Sequence, residues 1–269
     1  MTERSEPLRL DVALVRRGLA RSRDVATEAI RAGMVQVDGR TVVKAAHRVD
    51  DGAHLTRLDE VEPWVGRGAH KILAAIDRWV PHGLRLKHTY CIDIGASTGG
   101  FTQVLLHHGA SHVDAIDVGT GQLAPTLAVD PRVSDMSNTH VLLLARDDIT
   151  AADLIVMDVS FISAATVLAH VASWCTAHGS IVVLVKPQFE VGRESLGRGG
   201  IVRSPEHRRA AVRAVMDTAY QCGLAVRDAM VSPITGSHGN MEYLLWLSPL
   251  RPGMMDRPAA YALADTMDL

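Results

Sequence analysis

The segment Asp93-Ile94-Gly95-Ala96-Ser97-Thr98-Gly99-Gly100-Phe101 joins an apolar run to a stretch with helical spacing. Glycines at such a junction let the backbone approach a ligand, and the helix N-terminus that follows favours negative charge. The spacing is G-x-x-x-G-G, and the G-x-G-x-x-G fingerprint of pyrophosphate binding is absent. That suits a ligand bearing a carboxylate, which points away from NAD and towards S-adenosylmethionine. Asp93, Gly95, Ala96, Ser97, Thr98, Gly99 and Gly100 are thus candidate cofactor contacts. Asp117 falls 22 positions after Gly95, about where an acid holds ribose hydroxyls in such folds. A helix cap or a solvated loop carboxylate is its other reading.

Two more charged residues end apolar runs. Asp158 closes Leu154-Ile155-Val156-Met157, and Lys186 closes Ile181-Val182-Val183-Leu184-Val185, with Pro187 stopping the strand. In an open α/β sheet, ligands bind at that end of the strands. A purely structural ion pair would look the same. Lys71 begins a helix upstream, and Glu242 opens the last strand. A lysine at its reference pKa near 10.4 is an amine only about once in 2,500 molecules at pH 7. Lysine chemistry here is therefore either proton abstraction by a rare amine or stabilisation of developing alkoxide charge.

Strands and helices must alternate to place these groups. Helices are expected over 71–79, 101–108, 164–174 and 205–222, and strands over 90–94, 113–117, 154–157 and 181–185. The uninterrupted β-branched runs suit parallel strands buried on both faces. Strands near 224–231 and 241–247 lack an intervening helix and should pair antiparallel. The fold class is α/β: a mostly parallel seven-stranded, Rossmann-like sheet with a terminal antiparallel hairpin, preceded by a small α+β domain. The boundaries expected are 1–61 for the small domain, 62–66 for a linker (Glu62-Pro63-Trp64-Val65-Gly66), 67–250 for the large domain and 251–269 for a tail.

In the small domain, Asp11 and Ser22 are expected to cap two short helices, the second stopped by Gly33. Val35-Gln36-Val37, Asp38-Gly39 and Thr41-Val42-Val43 form a hairpin pattern. Charge is segregated: residues 8–48 carry nine Lys/Arg against four Asp/Glu, and residues 186–213 seven against three, in a chain of net charge −2. Localised positive charge is what phosphate binding needs; chance clustering on a solvated face is the alternative.

The N-terminal pattern, with Leu10-Asp11, Gly18 to Arg23, Ala26, Ile30, Gly33, Val35, Val37 and Gly39, resembles the RNA-binding domain of small-subunit ribosomal protein four. The resemblance implies RNA contacts from Arg16, Arg17, Arg21, Arg23 and Arg31. The ordered set Lys71, Asp158, Lys186 and Glu242 resembles the K-D-K-E tetrad of FtsJ-type RNA ribose 2′-O-methyltransferases. Across nearly its whole length the chain looks like the TlyA (hemolysin A) family. That resemblance implies S-adenosylmethionine-dependent methylation of cytidine 2′-hydroxyls in 16S or 23S ribosomal RNA, with ribosomal RNA and ribosomal subunits as partners. It also implies cofactor contacts from Asp135 and Asn138, in a segment that fits the family loosely. Arg67, Arg193, Arg198 and Arg203 are expected on the RNA side, the last three around a glycine-rich loop over 189–201 that would close on RNA.

Composition excludes several classes. Cys91, Cys175 and Cys222 are widely spaced, and no HExxH pattern occurs among the thirteen histidines, so no metal is expected. The N-terminus shows no secretory apolar segment, and no run suits a membrane span. A cytoplasmic protein without a membrane partner is the expectation. A non-catalytic RNA-binding assembly factor and a membrane-active hemolysin are the competing readings.

Overall fold

A computed structural model describes residues 7–58, 64–197 and 199–267. The chain divides into two compact units, Met1–Pro63 and Trp64–Leu269.

In the first unit, β1 (Leu8–Arg9) leads straight into α1 (Leu10–Arg16). Then come α2 (Arg23–Arg31), β2 (Val35–Val37), β3 (Arg40–Thr41), β4 (Arg48–Val49) and β5 (Leu55–Arg57). Ser22 caps α2, accepting the Val25 N–H. Asp11 does not cap α1. It is the second residue of the helix, where its carboxylate is drawn to the Arg9 and Arg23 guanidiniums at 3.0 and 3.1 Å. Asp38 and Gly39 both take positive φ, 48° and 78°, as a two-residue turn between right-twisted strands requires. β3, β2 and β5 form one small sheet, and β1 pairs with β4. Leu10, Leu14, Ala26, Ile30 and Val35 are buried between the helices and strands.

The second unit begins with α3 (Ala69–Trp79), then β6 (Tyr90–Ile94), α4 (Gly100–His107), β7 (His112–Ile116), α5 (Pro125–Ala128), β8 (Val133–Met136) and β9 (Ala152–Met157). It continues with α6 (Ala164–Val171), β10 (Cys175–Val185), α7 (Pro187–Glu190), α8 (Pro205–Gln221), β11 (Leu224–Val231), β12 (Tyr243–Pro249) and α9 (Arg257–Thr266). Strand order is β11-β12-β10-β9-β6-β7-β8. The five strands β8, β7, β6, β9 and β10 run parallel. β12 is antiparallel to both its neighbours and slots between β10 and β11, so the hairpin's second strand is internal.

Because side chains alternate along a strand, each parallel strand feeds two cores. Ile92, Ile155, Ile181 and Val183 pack with α6, α8 and α9. Cys91, Leu154, Val156 and Val182 pack with α3 and α4. The segment read as a tail contains α9, whose Ala260 and Ala264 are fully buried in the first of these cores. The residues read as a linker divide: Glu62 and Pro63 lie outside the described residues, whereas Trp64 sets its ring edge to face with His107 and Val65 donates to Gln103. Among the described residues, no helix is long and apolar enough to cross a membrane.

Candidate active site

Four charged residues far apart in sequence meet at one end of the sheet. Asp158 follows β9, Lys186 follows β10 and Glu242 precedes β12. The register explains the convergence. Val185 is paired with Tyr243 across the antiparallel β10–β12 contact, so the next residue of one strand lies beside the preceding residue of the other. Lys71 joins them from the first turn of α3.

Lys71 Nζ is 2.7 Å from Glu242 and 3.5 Å from Asp158 Oδ2, and Lys186 Nζ is 2.7 Å from Asp158 Oδ1. Lys71 and Lys186 are 8% exposed and Glu242 only 2%. Charges so deeply placed are tolerated because each is paired, removal from water costing several kcal/mol per ion. These are charge contacts and lack hydrogen-bond alignment: Asp158 Oδ1 and Glu242 Oε2 are buried and accept no aligned hydrogen bond from the described residues. The aligned bond of Lys186 Nζ goes to Ser160 Oγ, at 2.7 Å.

Two cavities adjoin the tetrad. One, of about 470 Å³, is lined by Lys71, Asp158, Lys186 and Glu242, with Arg67 and Gly95 to Thr98 on its wall. The other, of about 630 Å³, lies over the ends of β6 and β7 and is lined by Gly95, Ser97, Asp117, Val118, Gln122 and His140 among others. They share Gly95, Ser97, Asp158, Ser160 and Phe161. Gly95 has φ +84°, and a Cβ there would come 2.5 Å from the Asp158 carbonyl oxygen. The glycine loop can pass beside Asp158 only without a side chain.

The other expected cofactor residues separate. Gly100 lines the first cavity. Gly99 lines neither; it gives room to Leu123 and Leu127, which a Cβ would strike. Asp117 stands at the second cavity, and its two oxygens accept the Ser97 and Gly119 N–H groups at 2.8 and 2.7 Å. Asp93 faces away from both cavities. Strand alternation puts it on the α4 side, where Oδ2 accepts the Thr102 N–H and hydroxyl at 2.9 and 2.6 Å. It satisfies one of the free amides at the start of α4. Complete burial pushes its carboxyl up to about 7. Asp135 and Asn138 also miss the cavity. Asp135 is exposed and holds the Ser137 amide and hydroxyl, and Asn138 turns the chain at φ +57°. That turn delivers Thr139, His140 and Val141 to the cavity in their place.

Of the expected RNA-side arginines, Arg16, Arg21, Arg23 and Arg31 are exposed in the first unit. Arg17 is committed elsewhere: its guanidinium donates to the carbonyls of Asp50, Asp51 and Ala53, tying α1 to the β4–β5 turn. Arg203 is exposed. Arg198 and the side chain of Arg193 lie outside the described residues. The glycine-rich segment is anchored at both ends. Glu190 accepts from Ser163 Oγ and the Ala164 N–H at the start of α6. Buried Asn240 accepts the Val202 N–H and donates to the Gly200 carbonyl.

Ser160, Gln188 and Asn240 line the first cavity without having stood out in the sequence. A serine two places after Asp158 has no spacing signal of its own. Asn240 could have been suspected, because an amide inside Gly239-Asn240-Met241 suits a turn that bonds backbone.

This sheet order, with its internal antiparallel strand, and a charged site beside a glycine loop at the strand ends define a class I methyltransferase. The FtsJ-like methyltransferase family matches residues 64–248, and the S4 domain family matches residues 8–55. The chain is 47% identical over 241 residues to the 16S/23S rRNA (cytidine-2′-O)-methyltransferase TlyA of Mycobacterium tuberculosis, covering 89% of each. It is 34% identical to the 23S rRNA (cytidine-2′-O)-methyltransferase TlyA of Campylobacter jejuni, covering 73% of this chain and 74% of that one. A solved structure from Streptococcus thermophilus described as a hemolysin superposes with a TM-score of 0.72 at 35% identity, covering 97% and 96%. The chain belongs to the TlyA family of FtsJ-like methyltransferases.

Proposed function

We propose that this chain transfers a methyl group from S-adenosylmethionine to the ribose 2′-hydroxyl of a cytidine in 16S or 23S ribosomal RNA, or in both. The observation that carries this reading is the meeting of Lys71, Asp158, Lys186 and Glu242 beside the glycine loop. The cofactor, when bound, supplies a methyl already activated on a sulfonium, so no protein nucleophile is required. The second cavity fits it: apolar walls at Val118, Val141 and Ile162 suit a flat base, and Asp117 at the rim suits ribose hydroxyls.

The chain's own groups must align the 2′-oxygen and remove its proton. Lys186 is the group for that, held by Asp158 on one side and Ser160 on the other. Glu242 neutralises Lys71, so the tetrad carries two positive and two negative charges. A site without excess positive charge does not repel a sulfonium. The exposed Arg16, Arg21, Arg23 and Arg31 of the first unit, with Arg67 and Arg203 of the second, provide phosphate contacts. A ribosomal substrate implies action in the cytoplasm.

The test is transfer of labelled methyl from S-adenosylmethionine to each purified ribosomal subunit, with the modified ribose then mapped. Label on a cytidine 2′-oxygen is expected. Label on a base, or on neither subunit, refutes the reading. Lys186→Ala is expected to abolish transfer while leaving cofactor uptake, measured by calorimetry, unchanged.

A further inference from the structure

Lys186 has a partner outside the tetrad. Among the described residues, Ser160 Oγ accepts the one aligned hydrogen bond of Lys186 Nζ, at 2.7 Å. Ser160 is exposed and lines both cavities, whereas Lys186 is 8% exposed and Glu242 2%. Asp158 Oδ1, the other neighbour of Lys186 Nζ, is shut off from water. Asp158 also stands between two ammonium groups. Giving it a proton would remove the charge that holds both lysines. Among the contacts of Lys186 Nζ in the described residues, Ser160 alone can take a proton on one side and hand one on to water on the other.

Methyl transfer to a hydroxyl liberates one proton per turnover, and an ammonium cannot accept a proton until it has released one. We propose that the Ser160 hydroxyl is the proton exit of this site, relaying a proton from Lys186 Nζ to solvent in each cycle. This rests on the reading of Lys186 as the group that deprotonates the ribose.

The balance closes. One N–H of the Lys186 ammonium passes its proton to Ser160 Oγ as the Ser160 O–H gives its own to water, leaving an amine lone pair and an intact hydroxyl. The ribose 2′-oxygen then forms its bond to the methyl carbon as the carbon–sulfur bond breaks, with that electron pair remaining on sulfur. The 2′-proton moves to the Lys186 lone pair. The ammonium is restored, the sulfonium has become a thioether, and one proton has reached water. Ser160 is neither consumed nor charged.

Threonine and valine at position 160 share one shape and differ in the hydroxyl, so they separate a relay from packing. Single-turnover methyl transfer to purified ribosomal subunits is the readout, with S-adenosylmethionine uptake measured by calorimetry. Proton-transfer partners contribute roughly 10²–10⁴-fold, so Ser160→Val should be at least about tenfold slower, while Ser160→Thr should stay within about threefold of the unsubstituted protein. Cofactor uptake should be unchanged in both. Equal rates in the two variants overturn the proposal, whether both are fast or both are slow with cofactor bound. Lys186→Ala is run alongside. If it is active, the underlying reading of Lys186 fails; if it is inactive while Ser160→Val is fast, only the relay fails.

Discussion

Glu242 is almost wholly buried, and its carboxylate is the near partner of the Lys71 ammonium. Removing one member of a buried pair strands the other, at a cost of about 3–5 kcal/mol. Glu242→Ala is therefore expected to lower stability by about that amount in a denaturant titration, as well as abolishing transfer. Asp93 behaves differently, because burial raises its carboxyl from 3.8 to about 7. The folded state then binds a proton that the unfolded state releases across the interval from about 4 to 7. The resulting stabilisation is complete below the unfolded value and disappears as pH rises through about 7. Measured as melting temperature, the advantage of the native protein over Asp93→Asn should shrink between pH 5 and pH 8. An advantage that grows over this range refutes the assignment.

Asp158 and Lys186 were visible because each ends an apolar run, and such a run delivers its last residue to the ligand-binding edge. Asp93 sits in an equally apolar run but one residue before its end, and alternation turns it to the helix side. Asp135 and Asn138 do not line the cavity; beyond the left-handed turn at Asn138, φ +57°, Thr139 and His140 do. No local pattern encodes that reversal.

At the scale of elements, the glycine-rich segment after Lys186 depends on Asn240, which is 3% exposed and bonded to Val202 and Gly200 at 2.9 and 3.0 Å. Asn240→Ala leaves a buried amide and a carbonyl without partners, a loss of about 1–3 kcal/mol. Limited proteolysis is expected to cut this variant sooner within 192–203, and cofactor affinity should hold. Unchanged cleavage means that other contacts fix the segment. The parallel strands were legible through their β-branched runs. The pairing of β1 with β4 was not, since two residues on each side carry no periodicity. α9 could have been read: Asp256, Arg257 and Pro258 form a helix start, and Asp256 does accept the Ala259 N–H.

Over the whole molecule, α9 completes the layer formed with α6 and α8. Ala260 and Ala264 are fully buried, Tyr261 donates to Asp217, and Arg213 pairs with Asp265. A chain ending at Leu250 is expected to melt at least about 5 °C lower, since 1 kcal/mol is worth about 2–4 °C in a chain of this size. An unchanged melting temperature would make α9 dispensable. The division into a small unit with a basic stretch over 8–48 and a larger unit was visible in the charge distribution and in the change from short hairpin strands to long buried ones.

The place of β12 has a bearing on how the protein is born. This strand follows β10 and β11 in the chain, yet it lies between them. A nascent chain has therefore displayed its arginine-bearing first unit long before Glu242 can reach Lys71. Until then the polypeptide lacks the assembled tetrad, and a message truncated between codons 64 and 242 is expected to yield a product that keeps the first unit and cannot transfer a methyl group.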